Sequence, residues 1–183
     1  MRTTAWVLVA LLSVPAFGAA TGRVLDPDGK PVPGAEVCEF LEGGPHCVKV
    51  DARGDYRMEN PTRTWLLVRA SGYVGMLLQP VPIDVPVKLE RAASLLVTVI
   101  DAGTLQPIPE GRVILDSPTG RRIGDYVPFN KSGVRISTLD PGVVFVRTEA
   151  AGYKPAGPVP VTLVSGAEGS VKISMTKTPA AAH

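Results

Sequence analysis

The sequence predicts an all-β protein built as two tandem seven-stranded β-sandwiches with Greek-key-type connections, and three observations predict it. First, 18 prolines and 19 glycines in 183 residues leave little room for helices. Proline cannot donate to a strand ladder and glycine supplies positive φ at turns, so both punctuate short strands. Second, no window of eleven or more residues beyond residue 20 keeps the 3.6-residue apolar period of a helix. Third, two stretches close alike. Leu66 to Tyr73 (Leu-Leu-Val-Arg-Ala-Ser-Gly-Tyr) and Val146 to Tyr153 (Val-Arg-Thr-Glu-Ala-Ala-Gly-Tyr) both alternate and end in Ala-x-Gly-Tyr, 80 residues apart. Each follows a turn signal, Asp51-Ala-Arg-Gly54 or Asn130-Lys-Ser-Gly133, 79 residues apart. Landmarks repeated at one offset point to two copies of one unit.

Residues 1–20 read as an export signal. Arg2 carries the charge, Ala5 to Leu12 are mostly apolar, and Pro15 precedes small residues. Ala16-Phe-Gly18 and Gly18-Ala-Ala20 are both acceptable small-x-small cleavage sites, so the cut falls after Gly18 or Ala20. The apolar run is shorter than the ~20 residues of a spanning helix, which predicts no stable membrane insertion after cleavage. No Cys follows the signal to carry a bacterial lipid anchor. The expected location is periplasmic or extracellular.

The first sandwich is expected over residues 21–91, with strands near 21–26, 34–41, 46–51, 55–59, 63–70, 73–79 and 83–89. The second is expected over 92–177, with strands near 94–101, 111–116, 121–128, 133–138, 143–150, 159–164 and 169–175. Turn signals every 8–12 residues suit a sandwich. Asp26-Pro-Asp-Gly29 is a turn, followed by a proline-stiffened loop to Gly34. Asp101 to Gly111 places Asp, Pro and Gly in the same way. The junction at Arg91–Ser94 is too short to give the halves slack. Residues 178–183 have nothing to bury and are expected to be disordered.

Gly22-Arg-Val-Leu-Asp26, Gly29-Lys-Pro-Val-Pro-Gly-Ala-Glu-Val37, Asp51-Ala-Arg-Gly-Asp-Tyr56 and the strand ending in Gly72-Tyr73 occur in order. On these residues Gly22 to Glu90 resembles the carboxypeptidase regulatory-like domain, a transthyretin-like (prealbumin-like) β-sandwich. The second copy is similar but lacks the Gly-Lys-Pro step and has Val134 where the first carries Asp55-Tyr56. The resemblance implies a fold often classed with carbohydrate-binding-like sandwiches, found beside peptidases, outer-membrane receptors and adhesins. It implies no activity.

Cys38 and Cys47 are the only cysteines and fall in one predicted hairpin. With Glu42-Gly43 as the turn, Val37 opposes Val48 and Ala35 opposes Val50 on the inner face. Cys38 then opposes Cys47 and Glu36 opposes Lys49 on the outer face, predicting a disulfide and an outer ion pair. Export to an oxidising compartment favours the bridge over two free thiols.

The chemistry of catalysis is thin. The two histidines are His46, expected as an exposed cross-strand partner of Glu39, and His183. No His, Cys and Asp cluster has metal-ligand spacing, and no cofactor is expected. Asp26 and Asp28 share a turn, a faint calcium-type pattern outweighed by ordinary turn chemistry. Lys plus Arg number 19 against 17 Asp plus Glu, and the basic residues are dispersed, so a nucleic-acid partner is not expected.

Aromatic side chains are the best candidates for a binding surface. Alternation counted back from Tyr73 and Tyr153 turns Leu66, Val68, Val144 and Val146 inward. Trp65, Leu67 and Arg69, with Phe145 and Arg147, then face outward, and Trp65 and Phe145 hold equivalent positions. The expected function is a non-catalytic, exported binding or structural module. Its partner would be an unknown protein or polysaccharide of the cell envelope. Carbohydrate binding through the outward aromatics is the alternative, and a small hydrolase is a second one that lacks its constellation.

Overall fold

A computed structural model of the chain describes residues 18–62, 65–79 and 86–179. Most of the expected signal, the start of the strand expected at 83–89 and the last four residues lie outside the described residues. Among the described residues there is no helix, and none long and apolar enough to cross a membrane.

Fourteen strands follow in order. The first seven are β1 (Ala20–Leu25), β2 (Glu36–Leu41), β3 (Gly44–Lys49), β4 (Asp55–Met58), β5 (Leu66–Arg69), β6 (Met76–Leu78) and β7 (Val87–Lys88). The next seven are β8 (Ala93–Asp101), β9 (Glu110–Asp116), β10 (Arg122–Asn130), β11 (Val134–Leu139), β12 (Gly142–Glu149), β13 (Ala156–Leu163) and β14 (Glu168–Met175). Each overlaps a strand expected from the turn signals; the edges coincide or shift by up to three residues, and β3, β10 and β13 run past their expected bounds at one end. The main exceptions are β7, which is described over two residues only, and β5, which begins at Leu66.

The strands form four sheets: β4-β1-β7, β3-β2-β5-β6, β11-β8-β14 and β10-β9-β12-β13. Adding seven to every strand of the first two sheets gives the other two. Pairing is antiparallel except between β1 and β7 and between β8 and β14. Each three-stranded sheet shares one apolar layer with a four-stranded sheet. Val24, Met58, Val37, Leu66, Val68 and Leu89 belong to the N-terminal cluster. Leu95, Val97, Val113, Leu115, Val146 and Met175 belong to the C-terminal one. The layering is that of a β-sandwich.

The turn chemistry explains the repeated Asx/Gly signals. Asp51 Oδ1 accepts from the amides of Arg53 and Asp55, and Asn130 Oδ1 accepts from Ser132. The turns end on Gly54 (φ 88°) and Gly133 (φ 85°). A Cβ on Gly54 would lie 2.8 Å from the Val24 carbonyl oxygen, and one on Gly133 would strike that of Val97. Only glycine lets the chain pass there. Among the inward positions, Thr148 stands where the N-terminal sheet has Val68, is fully buried, and its hydroxyl has no partner.

Candidate interaction surface

The surface that sequence alternation singles out is assembled by the β2–β3 hairpin and the strands beside it. The hairpin register is Glu36↔Lys49, Val37↔Val48, Cys38↔Cys47, Glu39↔His46 and Phe40↔Pro45, with the turn at Glu42-Gly43. Cys38 and Cys47 are joined by a disulfide with Cα atoms 4.1 Å apart. On the other side β2 pairs with β5 as Glu36↔Arg69, Val37↔Val68 and Cys38↔Leu67, and β5 pairs with β6 as Leu67↔Leu77. One step further along β2 and β5, Phe40 meets Trp65. Their rings stack with centroids 5.9 Å apart and planes inclined by 24°.

Because side chains alternate, these pairs sort into rows on the outer face. The middle row runs Cys47–Cys38–Leu67–Leu77, and the next holds Pro45, Phe40 and Trp65. Leu77 is 56% exposed and Phe40 37%, while Trp65 and Leu67 are half-buried. The third row is ionic, and here the expected pair is corrected. Glu36 stands across from Lys49, but its carboxylate receives the Arg69 guanidinium at 2.8 Å. Arg69 is held there by an ion pair of two charge-assisted bonds.

The same rows exist on the sheet β10-β9-β12-β13 with different chemistry. Val113↔Thr148 corresponds to Val37↔Val68, so Arg112 and Glu149 stand where Glu36 and Arg69 do, with the charges exchanged. Arg112 Nε lies 2.7 Å from Glu149. Ile114 and Arg147 replace Cys38 and Leu67, and Asp116 and Phe145 replace Phe40 and Trp65. Arg147 Nε donates to Asp116 at 2.8 Å, and Arg122 lies 3.8 Å from the other Asp116 oxygen. Trp65 and Phe145 therefore hold matching register positions, yet one sits in an apolar strip and the other among ions. The two faces do not present a common binding chemistry.

Glu39 departs from its expected exposure. His46 is half exposed, but the Glu39 side chain is 3% exposed, in phase with Val37 on the core side. It accepts from the Thr62 amide at 2.8 Å, the Thr62 hydroxyl at 3.1 Å and lies 3.1 Å from His46 Nδ1. The carboxylate thus ties the chain segment ahead of Trp65 to the hairpin. Strand parity alone contained that signal. Glu39→Ala should cost roughly 1–3 kcal/mol by orphaning the Thr62 amide. Thermal melts against wild type check this, and an unchanged midpoint would remove the tie from the account.

A second pair of sites explains the repeated Ala-x-Gly-Tyr. In the C-terminal half, buried Asp101 accepts from the amides of Gly103 and Thr104 and from the Tyr153 hydroxyl at 2.9 Å, with Lys177 Nζ at 3.5 Å. In the N-terminal half, buried Asp26 accepts from the Lys30 amide and from Arg91, which also bonds Asp28 at 2.6 Å. Tyr73 bridges to Arg91 as Tyr153 does to Lys177. The Arg91 guanidinium thus lies against both carboxylates of that turn. The Thr104 amide first, then the Tyr153 hydroxyl, draw the Asp101 carboxyl down to about 2. The Lys30 amide does most to lower Asp26. These groups fasten the first strand of each half to its last. Glu36, Cys38 and Cys47 also converge, but the sulfurs are spent in the disulfide and offer no thiolate to a metal.

No family model matches the chain, and no curated protein matches it. Solved structures do show similarity. The Bacillus anthracis TIE protein aligns at 14% identity with a TM-score of 0.43, over 87% of this chain and 34% of that one. GBS52, the minor pilin of Streptococcus agalactiae, aligns at 13% with a TM-score of 0.41, over 91% and 98%. The shaft pilin SpaA of Lactobacillus rhamnosus GG aligns at 10% with a TM-score of 0.44, over 89% and 98%. The chain spans about a third of the first of these. At such distances the likeness carries no residue-level information, and the carboxypeptidase regulatory-like resemblance rests on its motif residues alone.

Proposed function

We propose that the chain is an exported, non-catalytic binding module that grips a protein partner of the cell envelope through the outer face of β3-β2-β5-β6. The observation that carries this reading is the contrast between matching faces of one chain. Both sheets carry an ion pair in one row, Glu36–Arg69 and Arg112–Glu149, but where the C-terminal sheet sets Arg147 and Asp116 in the positions beside it, the N-terminal sheet leaves Phe40, Trp65, Leu67 and Leu77 as an apolar strip. An aromatic and aliphatic strip rimmed by Glu36, Arg69 and Lys49 has the composition of an interface centre with a polar rim. The disulfide across its middle row stiffens it, so little ordering is lost on binding.

Export is supported by that disulfide, since such bonds persist in oxidising compartments. We read the chain as two tandem seven-stranded sandwiches, residues 21–91 and 92–177, on the strength of the two apolar clusters and the repeated strand order. Cleavage after Gly18 rather than Ala20 preserves Ala20, which is buried and pairs with Met58. N-terminal sequencing of the exported protein should begin at Ala19.

The stacked Phe40 and Trp65 rings favour a sugar ligand as the second reading. One set of variants tests both. Leu77→Asp lies at an exposed position and should leave the melt within about 0.5 kcal/mol of wild type. It should abolish capture of envelope proteins in a cross-linking pull-down. Trp65→Ala should lower binding by roughly 1–3 kcal/mol with a small loss of stability. Binding to a glycan array that Trp65→Ala removes would move the assignment to carbohydrate. A collapse of the Trp65→Ala melt with binding retained in Leu77→Asp would assign the strip to packing.

A further inference from the structure

Phe145 and Arg147 of β12 open into a groove of about 650 Å³ beside the turn that joins β9 to β10. Its walls include Asp116, Ser117, Arg122 and Pro158. The registers Arg122↔Asp116 and Asp116↔Phe145 set cation, carboxylate and ring side by side across three strands. Arg147 reaches into that row from the next one, with Nε 2.8 Å and Nη2 2.7 Å from Asp116 Oδ2. The volume falls within the range of about 300–1,000 Å³ usual for small-ligand sites.

Three groups in this groove are open to a ligand. Asp116 Oδ1 accepts no hydrogen bond among the described residues, and Arg122 Nε stands 3.8 Å from it, beyond hydrogen-bond length. The Asp116 side chain is 14% exposed, so water reaches that oxygen only in part. Arg147 turns Nε and Nη2 to Oδ2, and its Nη1 has no partner among the described residues. The third group is the Phe145 ring. In the N-terminal half the equivalent positions hold Phe40 and Trp65, which stack on each other. Here Asp116 takes the place of Phe40, and among the described residues Phe145 has no aromatic partner.

We propose that the groove binds a neutral sugar ring of an oligosaccharide, with Phe145 against the ring's C–H face. An acceptor and a donor standing next to each other match a pair of adjacent hydroxyls. One donates to Asp116 Oδ1 and the other accepts from Arg147 Nη1. The apolar C–H face of the same ring then covers the aromatic side chain. Charge decides against an acidic sugar. The Arg147 guanidinium is already paired with Asp116, and a ligand carboxylate beside Oδ1 would meet a like charge. The groove shares no residue with Phe40, Trp65, Leu67 and Leu77, so it and the apolar strip stand or fall separately.

Titrating the isotope-labelled exported chain with maltohexaose, cellohexaose and mannohexaose tests this, with hexagalacturonate as the acidic arm. At least one neutral probe should shift the amide signals of residues 117–120 and 145–147 and leave those of Leu67 and Leu77 in place. Hexagalacturonate should shift neither set. Phe145→Ala and Arg147→Lys should each weaken binding of the neutral probe at least about ten-fold, the loss of one good contact. Trp65→Ala should bind as wild type does. The Arg147 side chain is 38% exposed, so Arg147→Lys keeps the fold and the charge beside Asp116 while removing the fork. It reads the contact even where Phe145→Ala is destabilised. Shifts from none of the neutral probes at millimolar concentration would overturn the proposal. So would tighter binding of hexagalacturonate, which reports an anion site. Binding lost in Trp65→Ala and kept in Phe145→Ala would also overturn it, by placing the sugar on the strip.

Discussion

Removing the Cys38–Cys47 bridge should lower one of two calorimetric unfolding transitions by about 10–20 °C and leave the other in place. The bridge spans nine residues of sequence and joins directly opposed positions of one hairpin. Closing so short a loop stabilises by roughly 2–3 kcal/mol in the chain-entropy model. For a unit of 60–100 residues each kcal/mol moves the midpoint by about 4–8 °C. Cys38 contacts the strip-bearing sheet and lies in the N-terminal half, whose apolar cluster shares no residue with the C-terminal one. The double variant Cys38→Ala/Cys47→Ala avoids leaving a lone thiol and is the form to measure. A single transition that moves as a whole would show that the halves unfold as one body. Two unmoved transitions would show that the hairpin is rigid without its bridge.

Asp101→Ala should depress the other transition and change its response to acid. The substitution orphans the amides of Gly103 and Thr104 and the Tyr153 hydroxyl together, and it leaves Lys177 without its anion. The direction with pH follows from the carboxyl being held at about 2, below its ordinary 3.8. A lowered native value stabilises the fold fully above about pH 4. That contribution fades as pH falls through 4 towards 2, where the native carboxyl takes up its proton. Wild type should therefore lose midpoint between pH 4 and pH 2 in the C-terminal transition, and Asp101→Ala should lose less because that carboxyl is gone. Identical acid profiles for the two proteins would refute this role. Tyr153 responds in the opposite direction. Its hydroxyl, raised above 10 by donating to Asp101, keeps the bond intact until strongly alkaline pH.

The relation between the two halves explains why the chain was partly legible. Strand alternation is local, because successive Cβ atoms point to opposite faces whatever the strand packs on. So Leu66, Val68, Val144 and Val146 fall on the core side from the sequence period alone. Turn chemistry is local too: Asp51 to Gly54 and Asn130 to Gly133 close through Asx bonds and positive φ that their own residues encode. Given the turn at Glu42-Gly43, the hairpin register follows by counting, and with it the opposition of Cys38 and Cys47.

What lay beyond reach was set by neighbours distant in sequence. Glu36 has Lys49 opposite it in the hairpin, yet Arg69 claims its carboxylate from the strand on the other side, 33 residues away. Strand parity puts Glu39 on the core side, but Thr62, the partner that holds its carboxylate there, comes from 23 residues downstream. Asp26 reads as turn chemistry until Arg91 arrives from 65 residues downstream. Phe40 and Trp65 become neighbours only because β2 lies between β3 and β5, an order that no local pattern specifies. By itself the sequence determined the periods, the turns and one disulfide, since each depends on residues within about ten positions of one another. Only the tertiary structure decided which charges meet, which acid is buried and which matching faces stay apolar, because strand order brings those groups together across the chain.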